Sequence, residues 1–112
     1  MLPRMAERRV QFGFNVPWPT PLEQVEAIPD TVKGIIQALP KTRFDRAHFK
    51  EFNDTGLNFE VIYFIPDPDY NLYMDLQQAI NLGILKAFQE RGIDLGYPVR
   101  VLREVPGPRL RL

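Results

Sequence analysis

A chain of 112 residues with 45% hydrophobic and 25% charged residues has the length and composition of one soluble globular domain with a real core, not of a disordered segment. The 14 Lys and Arg balance the 14 Asp and Glu, so the chain as a whole has no electrostatic footprint for nucleic acid or an anionic membrane surface. With no cysteine it excludes a disulfide framework, thiolate zinc sites and a cysteine nucleophile, which fits a reducing compartment.

Residues 1–7 form a short polar lead without the apolar run of a signal peptide. Arg8–Val16 alternates cleanly, with Val10, Phe12, Phe14 and Val16 on one face, and reads as a half-buried strand. Pro17-Trp18-Pro19 forces an extended connection, in which Trp18 is expected to pack over the edge of the core. Thr20, Pro21 and Glu23 supply a cap, a first-turn proline and a capping-box acid for a helix. That helix places Leu22, Val25, Ile28, Val32, Ile35, Ile36 and Leu39 on one side; Pro29 should kink it or divide it, and Pro40 marks its end.

Arg43–Phe52 is a second strand, dense in charge as an edge strand is, with Ala47 and Phe49 toward the core and a bulge before Phe52. Asn53-Asp54-Thr55-Gly56 makes a hairpin turn. Gly56–Ile65 is the most apolar strand, with Leu57, Phe59, Val61 and Tyr63 on one face and Asn58, Glu60, Ile62 and Phe64 on the other.

Pro66-Asp67-Pro68 breaks that strand, and Asp67 or Asp69 can cap the long helix that follows, to about Arg91. Its apolar stripe is Leu72, Tyr73, Leu76, Ala79, Ile80, Gly83, Ile84 and Ala87, while Met74, Leu85 and Phe88 stand nearly opposite. Gly92 fits a left-handed helix terminus, with Ile93 folded back as its apolar partner. Val99–Leu102 can add a last short strand, and residues 103–112, rich in proline, read as a tail. No window approaches the ~18 apolar residues of a membrane span.

Strand, helix, strand, strand, helix, strand packs most economically as an α+β sandwich of the ferredoxin-like kind, βαββαβ. Right-handed crossovers put both helices on one face of an antiparallel sheet. The Arg8–Val16 and Gly56–Ile65 strands should be central, within a domain of residues 8–102, and the open face should show Arg9, Gln11, Asn15, Asn58, Glu60, Ile62 and Phe64.

Little in the chain can do chemistry. His48 is the lone histidine, with no Cys, Asp or Glu at a metal-ligand spacing, and serine is absent. Helix capping accounts for Asp67 and Asp69 better than acid–base catalysis. No glycine cluster makes a phosphate loop. RNA binding would need exposed aromatics on central strands in a basic setting, yet Phe12, Phe14 and Phe59 fall on the helix-covered face. No catalytic residue, cofactor or metal is expected.

Phe49–Ile65 (FKEFNDTGLNFEVIYFI) and Asp69–Pro98 (DYNLYMDLQQAINLGILKAFQERGIDLGYP) resemble the C-terminal cytoplasmic α/β domain of the small-conductance mechanosensitive ion channel family, and Arg4–Val10 resembles the family's entry into that domain. The likeness covers about Arg4 to Leu102. Its most specific parts are Leu57-Asn58-Phe59-Glu60, the helix around Asn81, and Gly92-Ile93 with Tyr97-Pro98. It departs from the family at Trp18-Pro19, where a tyrosine and a polar residue are commoner, and in lacking pore helix, tension-sensing helices and β-domain.

The resemblance implies a non-enzymatic piece of a homo-heptameric channel on the cytoplasmic side of the inner membrane. Its domains form a hollow cage below the pore, and the channel releases osmolytes under membrane tension. Its partners would be other copies of itself and the channel's own membrane and β-domains, without nucleic acid and without direct membrane contact. Subunit contacts are expected at Ile62 and Phe64 on the open sheet face and at Met74, Leu85 and Phe88 on the back of the long helix. The alternative is a free-standing ligand-sensing or oligomerisation module of the same fold.

Overall fold

The computed structural model describes residues 7–54 and 56–95. Five elements follow in order: β1 (Arg8–Val16), α1 (Leu22–Gln37), β2 (Arg43–Asn53), β3 (Gly56–Ile65) and α2 (Tyr70–Arg91). The strands form one antiparallel sheet in the order β1-β3-β2, so the most apolar strand lies in the middle and charged β2 at an edge. β1, expected to be central, is the other outer strand among the described residues; the Val99–Leu102 strand expected beside it lies outside them, as do the tail and residues 1–6 of the lead. One core joins the inner sheet face to both helices, the α+β architecture expected of the ferredoxin-like order.

The alternation of β1 and β3 decides which face is buried. Val10 and Val16 from β1 and Leu57, Phe59, Val61, Tyr63 and Ile65 from β3 enter the core, with Phe12, Phe14, Phe44 and Ala47 packed against it. An aromatic series runs through this layer: Phe59 stacks on Phe14 with centroids 5.4 Å apart, and Phe14 meets Phe88 edge-on at 5.6 Å. β2 slips register between Phe44 and Arg46 and between Phe49 and Glu51, leaving Asp45 and Lys50 unmatched; the second slip is the bulge expected before Phe52. Across the β2–β3 turn Asn53 faces Gly56, whose φ of 141° and closeness to the Val16 carbonyl oxygen leave no room for a side chain.

α1 departs from expectation at its start. Pro21 occupies the cap position without a side-chain hydrogen bond, so Thr20 and Glu23 form no capping box. Instead Thr20 N–H donates to the Pro17 carbonyl at 3.2 Å, closing a turn around Trp18. Leu22 is 70% exposed because it stands in the first turn, beyond the reach of the sheet. Pro29 sits inside one continuous helix and does not divide it. Val25, Ile28, Val32 and Ile36 are buried. At the far end the Thr42 hydroxyl lies 2.9 Å from the Ile36 carbonyl, which also accepts from Leu39 N–H, and 3.2 Å from that of Leu39, so its one hydrogen is shared between two helix-end acceptors.

α2 is bounded as its sequence implies. The Asp69 carboxylate accepts from Asn71 N–H at 2.9 Å and Leu72 N–H at 3.5 Å, while Asp67 accepts from Asp69 N–H at 2.9 Å. At the other end Gly92, at φ 71°, donates to the Gln89 carbonyl and Ile93 to that of Phe88, the paired bonds of a Schellman motif, and Ile93 is buried against the last turn. Where the helices cross, Gly83 lets Ile35 approach so closely that an added Cβ would lie 2.8 Å from its Cγ2.

Candidate functional site: three uncovered surfaces

Among the described residues no group of three His, Cys, Asp or Glu side chains could hold a metal, and no helix is long and apolar enough to cross a membrane. The clefts are shallow; one of about 130 Å³ lies between Phe12, Phe14, Asn81, Ile84 and Leu95. The informative features are the surfaces left by the sheet and by the backs of the helices.

The open sheet face is closed by its own side chains. Glu60, on the central strand, accepts from Gln11 of β1 and pairs with Arg46 at 3.0 Å and Lys50 at 3.5 Å on β2, tying all three strands together. Partial burial pushes the Glu60 carboxyl up, but the Arg46 hydrogen bond and the charges of Lys50 and Arg46 outweigh it and hold the group below the usual carboxylate range. His48 projects from β2 with Nδ1 3.4 Å from Arg46.

Ile62 stands opposite Gln11 on one side and Arg46 on the other, and the long side chains that reach Glu60 roof it, so it is only 1% exposed. Phe64 is half-buried beneath Arg43, whose guanidinium lies 4.2 Å from the ring centroid and is anchored by Glu7 at 2.9 Å. Ile62, expected as an open contact residue, is therefore covered within its own chain.

The α2 surface is different. Met74 and Leu85 are 40% and 42% exposed and lie on the solvent side, as the helical wheel places them. Phe88 does not: at 1% exposure it belongs to the core, against Phe14. The buried residues Leu76, Ile80, Ile84 and Phe88 step by four, and each step turns about 40° around the axis. The buried row therefore slants along the helix to follow the twisted strands, which a single fixed stripe misses. Leu82 joins the exposed group at 56%. Its signal was present in the sequence, eight residues after Met74 and three before Leu85, about 200° round from buried Ile80. Around them stand exposed Asn71, Gln78, Asn81 and Gln89, with exposed Asp75 and Lys86 along the flank beside Leu82.

The third surface lies at the end of the sheet, where the segment after β1 meets the last residues of β2. Trp18 stacks on Phe52 with centroids 5.4 Å apart and planes at 11°, Phe49 meets Phe52 edge-on at 5.1 Å, and Phe49 stacks on Phe59 at 5.4 Å. Trp18 is 53% exposed and Phe52 64%, so Trp18 does not seal the core edge as expected but builds an outward aromatic shelf. Phe49 sits half outside as its base, not inside the core.

Three comparisons place this arrangement among known proteins. The family described as "Mechanosensitive ion channel MscS, C-terminal" matches residues 10–95. The small-conductance mechanosensitive channel MscMJ of Methanocaldococcus jannaschii is 32% identical over 92 residues, covering 81% of this chain and 26% of that protein. The large-conductance mechanosensitive channel MscMJLR of the same organism is 28% identical over 106 residues, 90% of this chain and 29% of that protein. The chain thus spans under a third of the length of these curated relatives. In the crystal structure of Helicobacter pylori MscS in its closed state, the same fold recurs with a TM-score of 0.58 at 20% identity, over 82% of this chain and 36% of that one. With the family match running from β1 through the end of α2, this chain belongs to the MscS mechanosensitive ion channel family and carries its C-terminal domain.

Proposed function

We propose that this chain is the non-catalytic cytoplasmic domain of a mechanosensitive channel, one wall element of an oligomeric cage, a homo-heptamer, beneath the pore on the cytoplasmic side of the inner membrane. The full-length protein would release ions and small solutes on hypo-osmotic shock, and this domain would shape the space they cross. Its partners are other copies of itself and the channel's own membrane and β-domains. The observation that carries this reading is the α2 surface, where Met74, Leu82 and Leu85 stand exposed together among amides, flanked by Asp75 and Lys86. Clustered exposed aliphatic groups with a polar rim are the anatomy of a protein contact.

Contact through Met74 and Leu85, with Phe64 at the sheet rim, gives a definite expectation. Replacing Leu82 and Leu85 together by glutamate should shift the chain toward monomer in sedimentation velocity and native mass spectrometry, and in the full-length channel should lower survival of osmotic downshock. Unchanged assembly would remove the proposal. Tight binding of a small metabolite by the isolated chain would favour a free-standing sensing module instead.

A further inference from the structure

We infer that the aromatic shelf is the seat of this chain's own residues 103–112, whose prolines and arginines lie over Trp18 and Phe52. Whole-chain neutrality conceals a split that favours this. Among the described residues 9 Lys and Arg stand against 13 Asp and Glu, a net of −4, whereas residues 96–112 hold Arg100, Arg103, Arg109 and Arg111 against Glu104, a net of +3. A basic segment is attracted to an acidic body. The acids next to the shelf in sequence, Glu51 and Asp54, are both exposed, and the neighbouring cation, Lys50, is drawn to Glu60 at 3.5 Å.

The chemistry of the rings selects within that segment. Trp18 stacks one face on Phe52 and is 53% exposed, so its other face is open. Proline rings pack flat on such a face, as when proline-rich segments dock on aromatic grooves, and guanidinium planes do so by cation–π attraction. Residues 105–112, Val-Pro-Gly-Pro-Arg-Leu-Arg-Leu, supply both kinds in one run. The shelf is also set in advance. Pro17 and Pro19 restrict Trp18, the Thr20–Pro17 turn closes behind it, and Phe49 links Phe52 to core residue Phe59. Little freedom of the rings is lost when the segment arrives.

Reach favours an occupant from the same chain. Gly92 and Asp94, just after α2, share a cleft of about 170 Å³ with Pro17 and Pro19, which flank Trp18. The ten residues between Leu95 and Pro106 span up to ~33 Å when extended. Across the sheet β2 lies only two strand spacings, ~10 Å, from β1. A tether of that length gives the segment a local concentration on the order of millimolar, so contacts too weak between separate molecules suffice. Pairing of Val99–Leu102 along the outer edge of β1 would instead carry residues 103–112 toward the end of the sheet where β2 begins, and experiment separates the two courses.

The chain has one tryptophan and no cysteine, so fluorescence and cross-linking both report cleanly. In the full chain at low protein concentration under mild oxidation, Phe52→Cys with Leu110→Cys should close an intramolecular disulfide several-fold faster than Gln37→Cys with Leu110→Cys, whose first cysteine stands where α1 ends before β2. That advantage should vanish at high salt, and also when Arg103, Arg109 and Arg111 are replaced by glutamine. With Phe52 intact, the same triple replacement should raise the acrylamide quenching constant of Trp18. Thermal melts check that each variant folds; should Phe52→Cys not fold, the quenching comparison decides alone. Equal closure by the two cysteine pairs, or faster closure by the Gln37 pair, would overturn the inference, as would Trp18 quenching indifferent to the arginines. A mixture of the single variants Phe52→Cys and Leu110→Cys dimerising as fast as the double variant closes would overturn it too, because the occupant would then be another chain.

Discussion

The two helices lie on the same face of one sheet, yet they treat solvent differently. α1 buries Val25, Ile28, Val32 and Ile36 and shows Glu23, Glu26, Asp30 and Lys33 to water. α2 buries Leu76, Ile80, Ile84 and Phe88 with equal regularity, but its outer side groups Met74, Leu82 and Leu85 among amides, with Asp75 and Lys86 at their flank. Packing against the sheet explains both inner rows and neither outer one. On the proposed reading, the outer side of α2 meets a second copy and that of α1 meets water.

Core and outer positions of α2 should differ most in their effect on stability. Phe88→Ala should cost about 3–5 kcal/mol, as emptied aromatic core sites do. Leu85→Ala, three residues earlier, should stay within about 0.5 kcal/mol. Urea unfolding of both variants would decide it, and similar losses would contradict the slanting buried row.

Alkali probes how α2 is held to the sheet. The Tyr63 hydroxyl donates to Gln77 Oε1 at 2.8 Å, and Gln77 in turn donates to Asn81. Burial, with a smaller push from Tyr73, raises the Tyr63 phenol from 10.0 to about 12. A raised value stabilises the fold fully below the unfolded value and is lost as pH climbs toward the folded one. About 1–2 kcal/mol should therefore disappear between pH 10 and 12, and Tyr63→Phe should flatten that slope in denaturant titrations at stepped pH.

One glycine from each helix should move stability in opposite directions. Gly83→Ala forces a methyl against the stiff β-branched side chain of Ile35 and should destabilise by about 1–3 kcal/mol. Gly34→Ala meets nothing within 4 Å and should stabilise by roughly 0.5–1 kcal/mol through helix propensity. Melting temperatures of the pair check the sign. The smallest effect on stability is expected for Leu82→Glu with Leu85→Glu, about 0.5 kcal/mol or less per site, even though assembly should be lost. A charge pair placed on α1 at Ala27 and Gly34 should leave assembly intact.

Much of the fold was legible because its signals are local. The Asp69 cap, the Gly92–Ile93 terminus, the bulge before Phe52 and the alternation of β1 and β3 depend on residues within a few positions of one another, and backbone hydrogen bonding reads them the same way in any fold. Met74 and Leu85 were legible for the same reason, through helical period alone. Thr20 shows the limit: its capping motif was complete in sequence, but the Pro17 turn took its backbone and the helix began at Leu22 without it.

What tertiary structure alone decided is where distant segments meet. Phe88 changed sides because a long helix follows the sheet's twist, Ile62 was covered by Gln11 and Arg46 arriving from two other strands, and Trp18 found Phe52 across the end of the sheet. Each outcome turns on through-space neighbours separated by many residues, and a periodicity read along one segment carries no record of them.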